Sequence, residues 1–368
     1  MEFSIERGEF TQALALAQGV VEKRNTMPIL ANVLLEAGDG LSIAATDLEV
    51  HIRRNLPAKV AQKGTATVAA RKFYELIREL RPGEVTVRLL ENHFVEVVSG
   101  RSRVRLVGLA AQDFPSFPQV DPQSGSVFTI GAEILAQMID RTLFAVSNDD
   151  TRAHLGGVFF SGNGESLRFV GTDGHRLAVL DQPVPGVKTP EKGIILPRKG
   201  LGELRRLLEG KEGEASVTVG NNVVQVDLDG VGLVMRLIDG EFPNYEQVIP
   251  GEVKFRVSIA KDDLLSALKR VSVVASDRSR GVRFAVTSGQ LTVSASSPDF
   301  GEASEELEVN YDGDDLTVGF NSRYLTEVLG VLGDQERVEI GLIDDASPGV
   351  IRAEDDDTYR YIVMPMRL

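Results

Sequence analysis

The chain has 368 residues and a formal net charge of −14, with 42% hydrophobic and 26% charged residues, a composition that excludes a fibrous or disordered protein. It contains no cysteine, which excludes disulfides, thiolate catalysis and cysteine-bound zinc, and its four scattered histidines leave little for a metal site. We therefore expect two or three domains that need neither a metal nor another cofactor.

The first predicted elements are a short strand and an amphipathic helix. Residues 2–5 alternate polar and apolar side chains, as a half-buried strand does. Apolar side chains then recur at intervals of three and four residues, which places them on one helix face: Phe10, Leu14, Ala17 and Val21. A hairpin with glycines at its turn, a second helix over 71–81 and three more alternating strands complete the pattern.

The same order of elements recurs twice more along the chain. The first helix of the second copy buries Leu135, Ile139, Thr142 and Val146, and that of the third buries Leu264, Leu268, Val271 and Ala275. The second helices are predicted over 198–208 and 322–332. A repeated architecture is the simplest explanation. We predict an α+β fold of three similar domains, 1–125, 126–252 and 253–368, each with two helices packed on antiparallel sheets.

Positive charge is concentrated in three predicted helices. Residues 71–81 carry four cations and two anions, 198–206 four and one, and 261–270 three and two, although the whole chain is acidic. The net charge alone argues against a nucleic-acid partner, because nucleic-acid binders present a basic face to the phosphates. The clustering of cations in three helices, however, is consistent with a nucleic-acid partner.

Four motifs carry a resemblance to a known family. They are the phrase Ala45-Thr46-Asp47, the run Gly-Thr-Asp-Gly-His-Arg-Leu-Ala-Val at 171–179, the run Leu-Pro-Arg-Lys-Gly at 196–200, and the C-terminal Val-Met-Pro-Met-Arg-Leu at 363–368. With the threefold repeat, the chain resembles the bacterial β sliding clamps, the β subunits of DNA polymerase III, over its whole length.

The resemblance implies a non-catalytic processivity factor. Two subunits of the family join head to tail, and six domains form a ring whose inner helices surround double-stranded DNA without reading its sequence. The cationic side chains that match inner-surface positions are Arg24, Lys72, Arg78, Arg198, Lys199, Arg205, Lys269 and Arg270. Any one of them is equally well explained as a solvated charge on an amphipathic helix, and only their clustering favours DNA.

The resemblance also implies a surface pocket that accepts short peptides of partner proteins. Flexible methionines suit such a pocket, since they adapt to different apolar anchors, and His175 or Arg176 can frame the rim. A methionine in a C-terminal strand is otherwise more often part of the core. The matching positions are Leu155, Thr172, Gly174, His175, Arg176, Leu177, Pro243, Val248, Asn321, Tyr324, Ile362, Met364, Pro365, Met366 and Arg367.

The resemblance extends to the subunit contact and to the partners. The contact is expected where Val104 and Leu106 of the first domain meet Val273 and Val274 of the third domain of another copy. The implied partners are a second copy of the chain, the catalytic subunit of the replicative polymerase, a clamp loader, and other replication or repair proteins. No membrane segment is predicted, and a cytoplasmic protein associated with the nucleoid during replication is expected.

Two other functional classes are less consistent with the sequence. An enzyme could use Thr172, Asp173 and His175, but neighbouring strand residues point to opposite faces and no third orienting group is identifiable. A structural or adhesion array of β-rich repeats is the second alternative. Gel filtration would separate the classes, because a ring predicts a compact dimer and an array an elongated monomer.

Overall fold

The computed structural model describes residues 1–21, 27–118, 120, 126–190, 192–276 and 279–367. The chain divides into two compact units, which we call unit 1 (1–135 and 199–237) and unit 2 (136–198 and 238–368). Each unit contains two antiparallel sheets. No helix among the described residues is long and apolar enough to cross a membrane.

Unit 1 has one five-stranded and one eight-stranded sheet, with strands numbered along the chain. The five-stranded sheet has the order β5-β1-β7-β8-β9, with β1 Glu2–Glu6, β5 Lys59–Gln62, β7 Glu84–Leu89, β8 Phe94–Ser99 and β9 Ser102–Val107. The eight-stranded sheet has the order β10-β15-β16-β17-β4-β3-β2-β6. Its strands are β2 Asn32–Ala37, β3 Leu41–Thr46, β4 Val50–Leu56, β6 Gly64–Ala69, β10 Ser126–Gly131, β15 Glu214–Val219, β16 Val223–Leu228 and β17 Val231–Arg236.

Unit 2 has one eight-stranded and one four-stranded sheet. The eight-stranded sheet has the order β14-β11-β12-β13-β25-β24-β23-β18. Its strands are β11 Gly157–Gly162, β12 Ser166–Thr172, β13 Arg176–Pro183, β14 Ile194–Pro197, β18 Phe255–Ala260, β23 Arg337–Leu342, β24 Gly349–Ala353 and β25 Tyr359–Val363. The four-stranded sheet has the order β21-β20-β19-β22, with β19 Gly281–Thr287, β20 Gln290–Ser297, β21 Gly301–Glu308 and β22 Leu316–Asn321.

The described residues form six α-helices, and these lie where the sequence predicts them. They are α1 Arg7–Val20, α2 Ala70–Glu79, α3 Ala132–Leu143, α4 Arg198–Leu207, α5 Lys261–Val271 and α6 Ser322–Val331. The predicted apolar positions are buried except Val21, which follows the buried Val20 at the end of α1. Val146 and Ala275 are buried as well, but they lie just beyond the ends of α3 and α5. In unit 1, the rings of Phe3 and Phe73 both meet Phe10 edge to face, which anchors α1 to α2 and to β1.

The predicted threefold repeat is confirmed by the strand order. Each repeat has a front group of four strands, β6-β2-β3-β4, β14-β11-β12-β13 and β22-β19-β20-β21, and a back group, β1-β7-β8-β9, β10-β15-β16-β17 and β18-β23-β24-β25. The sequence reasoning missed the last strand of each front group. β13 is buried on both faces at its start and shows no alternation, and β21 is rich in glutamate, so neither has a simple strand pattern.

The front group of one repeat joins the back group of the next. β4 pairs antiparallel with β17 in unit 1, and β13 pairs antiparallel with β25 in unit 2. Each eight-stranded sheet therefore takes strands from two repeats, which explains why the compact units do not follow the predicted domain limits. Among the described strands, β9 and β21 occupy the corresponding positions at sheet edges.

Candidate functional site

The turn between β12 and β13, part of the predicted pocket in unit 2, is held by hydrogen bonds within itself. Thr172 Oγ1 accepts a hydrogen bond from the Gly174 N–H at 3.1 Å and donates to the Arg176 carbonyl at 2.6 Å. Asp173 Oδ1 accepts from the N–H groups of His175 and Arg176. Gly174 has a φ of 89°, a conformation that glycine adopts without strain. The turn presents Gly174 and His175 to solvent on a rigid base.

An apolar floor lies beside this turn. Leu177, Val170, Val179 and Ile362 form one buried cluster, because β13 is hydrogen-bonded to both β12 and β25. Partly buried side chains pack against the cluster, namely Phe159, Phe242, Tyr245, Val248 and Ile249. The structure thus brings together Leu177, Val248 and Ile362 of the predicted pocket, and Pro243 lies exposed between Phe242 and Tyr245.

The C-terminal tail forms the opposite side of the predicted pocket. The Met364 N–H donates to the His175 carbonyl at 2.9 Å, and the Met366 N–H donates to the Gly319 carbonyl at 2.8 Å. These two bonds hold the tail between the β13 turn and β22. Met364, Pro365 and Met366 are half-buried, so their apolar surface remains partly available to another molecule.

The sequence suggested that Arg176 could frame the rim of the pocket. In the structure Arg176 lies beneath the rim instead. The residue is 6% exposed, and its guanidinium donates to Asp173, to Glu327 and to the Phe144 carbonyl. Its Cζ also lies 4.5 Å from the centre of the Tyr324 ring. With its donors used inside the protein, Arg176 ties α6 to the turn, and the exposed His175 lies at the surface.

Three other predicted pocket residues have structural roles that fix their positions. Asn321 caps α6, since its side-chain oxygen accepts from the Arg323 N–H. Tyr324 accepts a hydrogen bond from the Tyr361 hydroxyl through its carbonyl oxygen. Leu155 is buried in a short 3-10 helix, where its carbonyl accepts from the Ser147 N–H.

Unit 1 contains a second copy of the same turn with a different floor. Thr46 and Asp47 accept the equivalent backbone hydrogen bonds, and the Arg236 N–H donates to the Glu49 carbonyl as Met364 does to His175. Four and six residues after the aspartate, however, unit 1 has His51 and Arg53 in place of Leu177 and Val179.

The ring of Phe117 covers this second floor. It lies 5.2 Å from the His51 ring and 4.5 Å from the Arg53 guanidinium carbon. Burial lowers the pKa of His51 below its ordinary value, which favours the neutral imidazole against the aromatic ring. An apolar peptide would meet polar groups and the ring of Phe117 there, so of these two described turns the one in unit 2 offers the open apolar floor.

The predicted DNA-facing cations differ in how far their charge is neutralised. Lys72 and Arg78 are exposed on α2, where a cavity of about 750 Å³ is lined by Arg71, Lys72, Arg78 and Arg206, among others. Lys72 shares Glu75 with Arg71, and Arg78 contacts Glu79, so α2 keeps a surplus of positive charge.

The cations of the other helices have different surroundings. Lys199 on α4 pairs with the buried Asp47, and Arg270 on α5 pairs with Glu305. Arg198 and Lys269 are exposed, and Arg205 is half-buried. Arg24 lies outside the described residues.

The residues of the predicted subunit contact lie on the sheet edge β9 and in a short 3-10 helix over Ser272–Val274. Val104 and Leu106 are half-buried on β9, and Val273 is 76% exposed just after α5, next to the half-buried Val274. The structure adds β21, which the sequence reasoning did not identify. β9 exposes Arg103 and Arg105, whereas β21 exposes three carboxylates, Glu302, Glu306 and Glu308. The two edges are therefore opposite in charge.

The described residues contain no cluster of three or more histidine, aspartate or glutamate side chains that could hold a metal ion. The hydroxyl and carboxylate considered for an enzyme are also engaged: Thr172 and Asp173 both bond the backbone of their own turn. The arrangement suits binding of a peptide and offers no activated nucleophile.

Models of three protein-family domains match successive parts of the chain. They describe the N-terminal, central and C-terminal domains of the DNA polymerase III beta subunit, and they match residues 1–118, 129–244 and 246–367. The beta sliding clamps of Pseudomonas aeruginosa and Escherichia coli K12 are 39% and 37% identical to the chain, with 100% of each chain covered.

Solved structures with the same fold come from the same group of proteins. The crystal structure of the DNA polymerase III subunit beta from Pseudomonas aeruginosa superposes with a TM-score of 0.95 at 37% identity. A sliding clamp from Bartonella birtlesii bound to griselimycin superposes with a TM-score of 0.95 at 34% identity. Both comparisons cover 100% of each chain.

Proposed function

This chain belongs to the family of the DNA polymerase III beta subunit, and from that premise we propose that two copies close head to tail into a ring that slides on DNA. It is a DNA sliding clamp, a processivity subunit without catalytic activity. The finer assignments concern the closure of the ring, the surface that faces DNA, and the pocket for partner proteins.

The observation that supports the ring is that two strand groups have no partner group among the described strands. They are the back group of the first repeat, which ends at β9, and the front group of the third, which ends at β21. Within one chain, the front group of a repeat joins the back group of the next through β4–β17 and β13–β25. The same type of joint would connect β21 of one copy to β9 of another, and a second such joint would close the circle. Opposite charge on the two edges, and the apolar Val104, Leu106, Val273 and Val274, support this contact.

DNA would be held by charge and without base recognition. The acidic surface elsewhere on the chain repels DNA, while the cation-rich helices attract phosphates. The described candidates for this role are Lys72, Arg78, Arg198, Lys199, Arg205, Lys269 and Arg270. Lys199 and Arg270 contribute less, because Asp47 and Glu305 pair with them, whereas α2 keeps a surplus of cations beside its pairs with Glu75 and Glu79. Such binding is sensitive to salt and insensitive to sequence, which suits a protein that slides.

The pocket in unit 2 would tether the proteins that work on DNA. Its apolar floor, its two flexible methionines and its exposed His175 suit short peptides with apolar anchors. The polymerase catalytic subunit, a clamp loader and repair proteins are the partners that we assign to it. We place the protein in the cytoplasm, at the nucleoid during replication.

The deciding experiment compares nicked circular DNA with the same DNA after linearisation. Purified protein is loaded with a clamp loader, washed at moderate salt, and followed by gel filtration. We expect it to remain with the circle and to leave the linear molecule within minutes, because a closed ring is lost only over a free end. Equal lifetimes on the two DNAs would contradict the ring.

A further inference from the structure

A polar recess lies on one face of the four-stranded sheet of unit 2. Arg283 on β19, Ser294 on β20 and Ser304 on β21 are cross-strand neighbours in one row. Their chain neighbours Val282, Phe284 and Val293 are buried, so strand alternation directs this row to the opposite, outer face. The recess has a volume of about 680 Å³. We call it the serine recess, after the five serines in its lining.

Two guanidinium groups give the serine recess a positive character. Arg283 and Arg367 both line it and are both exposed, and neither forms an ion pair with another described residue. Glu302 is the one acidic side chain among the described lining residues. Serine hydroxyls and guanidinium N–H groups are donors that suit a carboxylate.

The serine recess is continuous with the pocket. Arg367 follows Met366, whose N–H is fixed to the Gly319 carbonyl of β22. On the other side, the Asn321 side-chain amide donates to the Ser279 carbonyl at 3.4 Å, and Ser279 lines the recess. A peptide that leaves the pocket past Met366 or Asn321 therefore enters the recess directly.

We propose that the serine recess binds acidic side chains in the sequence flanking the apolar anchors of a partner peptide. The inference rests on the proposed peptide pocket and adds a second determinant of partner choice. The carboxylates would accept hydrogen bonds from Arg283 and Arg367, with the serines completing their solvation. A nucleic-acid strand fits less well, because its evenly spaced phosphates would meet Glu302 in the recess lining, whereas single carboxylates can lie at the two guanidinium groups.

The test uses fluorescent synthetic peptides and the intact full-length protein. All peptides share one apolar anchor sequence, and they carry two glutamates or two glutamines before or after it. Of the two acidic peptides, we expect the one whose glutamates reach the recess to bind about five times more tightly than its glutamine counterpart at low salt. One or two partly exposed ion pairs would give a difference of that size. The advantage should shrink as salt is raised.

Matched variants locate the effect. Arg283→Gln should remove the advantage of the acidic peptide and leave the affinity of the glutamine peptide unchanged. Arg81→Gln, an equal loss of charge in unit 1, should preserve the advantage. An equal loss for both peptides in Arg283→Gln would overturn the inference.

The remaining outcomes separate this inference from the proposed function. If acidic and glutamine peptides bind equally well, the recess plays no part and the pocket stands. If neither binds at any concentration, the pocket assignment fails, and the inference fails with it. If an oligothymidine displaces the acidic flank and makes the two peptides equal, the recess belongs to nucleic acid and the inference is wrong.

Discussion

At the scale of single residues, buried charges determine how the pocket is held. Arg176 bridges Asp173 and Glu327, and its guanidinium lies between the rings of Phe144 and Tyr324. Arg323 adds a second ion pair to Glu327. A buried guanidinium is stable only when its donors are satisfied, so these partners belong together as one network.

This network of ion pairs predicts that acid lowers the thermal stability of the protein. Burial alone raises the pKa of Glu327, but hydrogen bonds from Arg323 and Arg176 outweigh it and hold that pKa below its ordinary value. A lowered pKa stabilises the fold above the unfolded value of about 4.3, and this stability is lost as the pH falls through the folded pKa. We expect Glu327→Gln to lower the thermal midpoint near pH 7 and to reduce its loss between pH 5 and pH 3. Parallel pH profiles of the two proteins would refute this role.

At the scale of elements, the two Thr-Asp turns have the same backbone hydrogen bonds but lie beside different side chains. The turn of unit 1 has Leu48 at a φ of 81° where unit 2 has Gly174 at 89°. The backbone hydrogen bonds are the same, yet His51 and Arg53 give unit 1 a polar floor under Phe117. Side chains on the following strand, and not the turn itself, therefore decide whether the floor beside each turn is polar or apolar.

The helices also differ in their contribution to DNA binding. The double substitution Lys72→Ala with Arg78→Ala should shorten retention on circular DNA and reduce the slope of log K against log salt by about one to two. Arg270→Ala should have a smaller effect, because Glu305 already neutralises this charge. The measurement is retention on nicked circular DNA at several salt concentrations, with unrelated sequences compared. An equal effect of Arg270→Ala would show that the ion pair opens in contact with DNA.

At the scale of the whole molecule, the proposed ring depends on β9 and β21, two sheet edges that no other described strand covers. A charge reversal tests the contact. Arg103→Glu, which leaves the ion pair of Arg105 with the buried Glu96 intact, should weaken the dimer, since like charges would face β21. Adding Glu302→Arg and Glu306→Arg to the same chain should restore it, and analytical ultracentrifugation would measure both. A dimer of unchanged strength in the first variant would mean that the contact lies elsewhere.

Local sequence patterns were sufficient to predict many of the helices and strands of this protein. Helix faces such as Leu264, Leu268 and Val271 follow from apolar spacing alone, because a helix buries one side whatever it packs against. The near-constant spacing of the three copies allowed the same order of elements to be predicted in each of them. The motif at 171–179 forms a turn that local residues alone define, since its threonine and aspartate bond their own backbone within a few residues.

Contacts between distant residues were decided only by the tertiary structure. The burial of Arg176, the pairing of Lys199 with Asp47 and the position of β21 at a sheet edge each depend on a partner far away in the chain. The sequence determined which segments form helices and repeat. The fold decided which cations have a carboxylate beside them and which described strands lie at a sheet edge. Ion pairs and strand pairs join groups that are close in space, and distance along the chain does not predict that closeness.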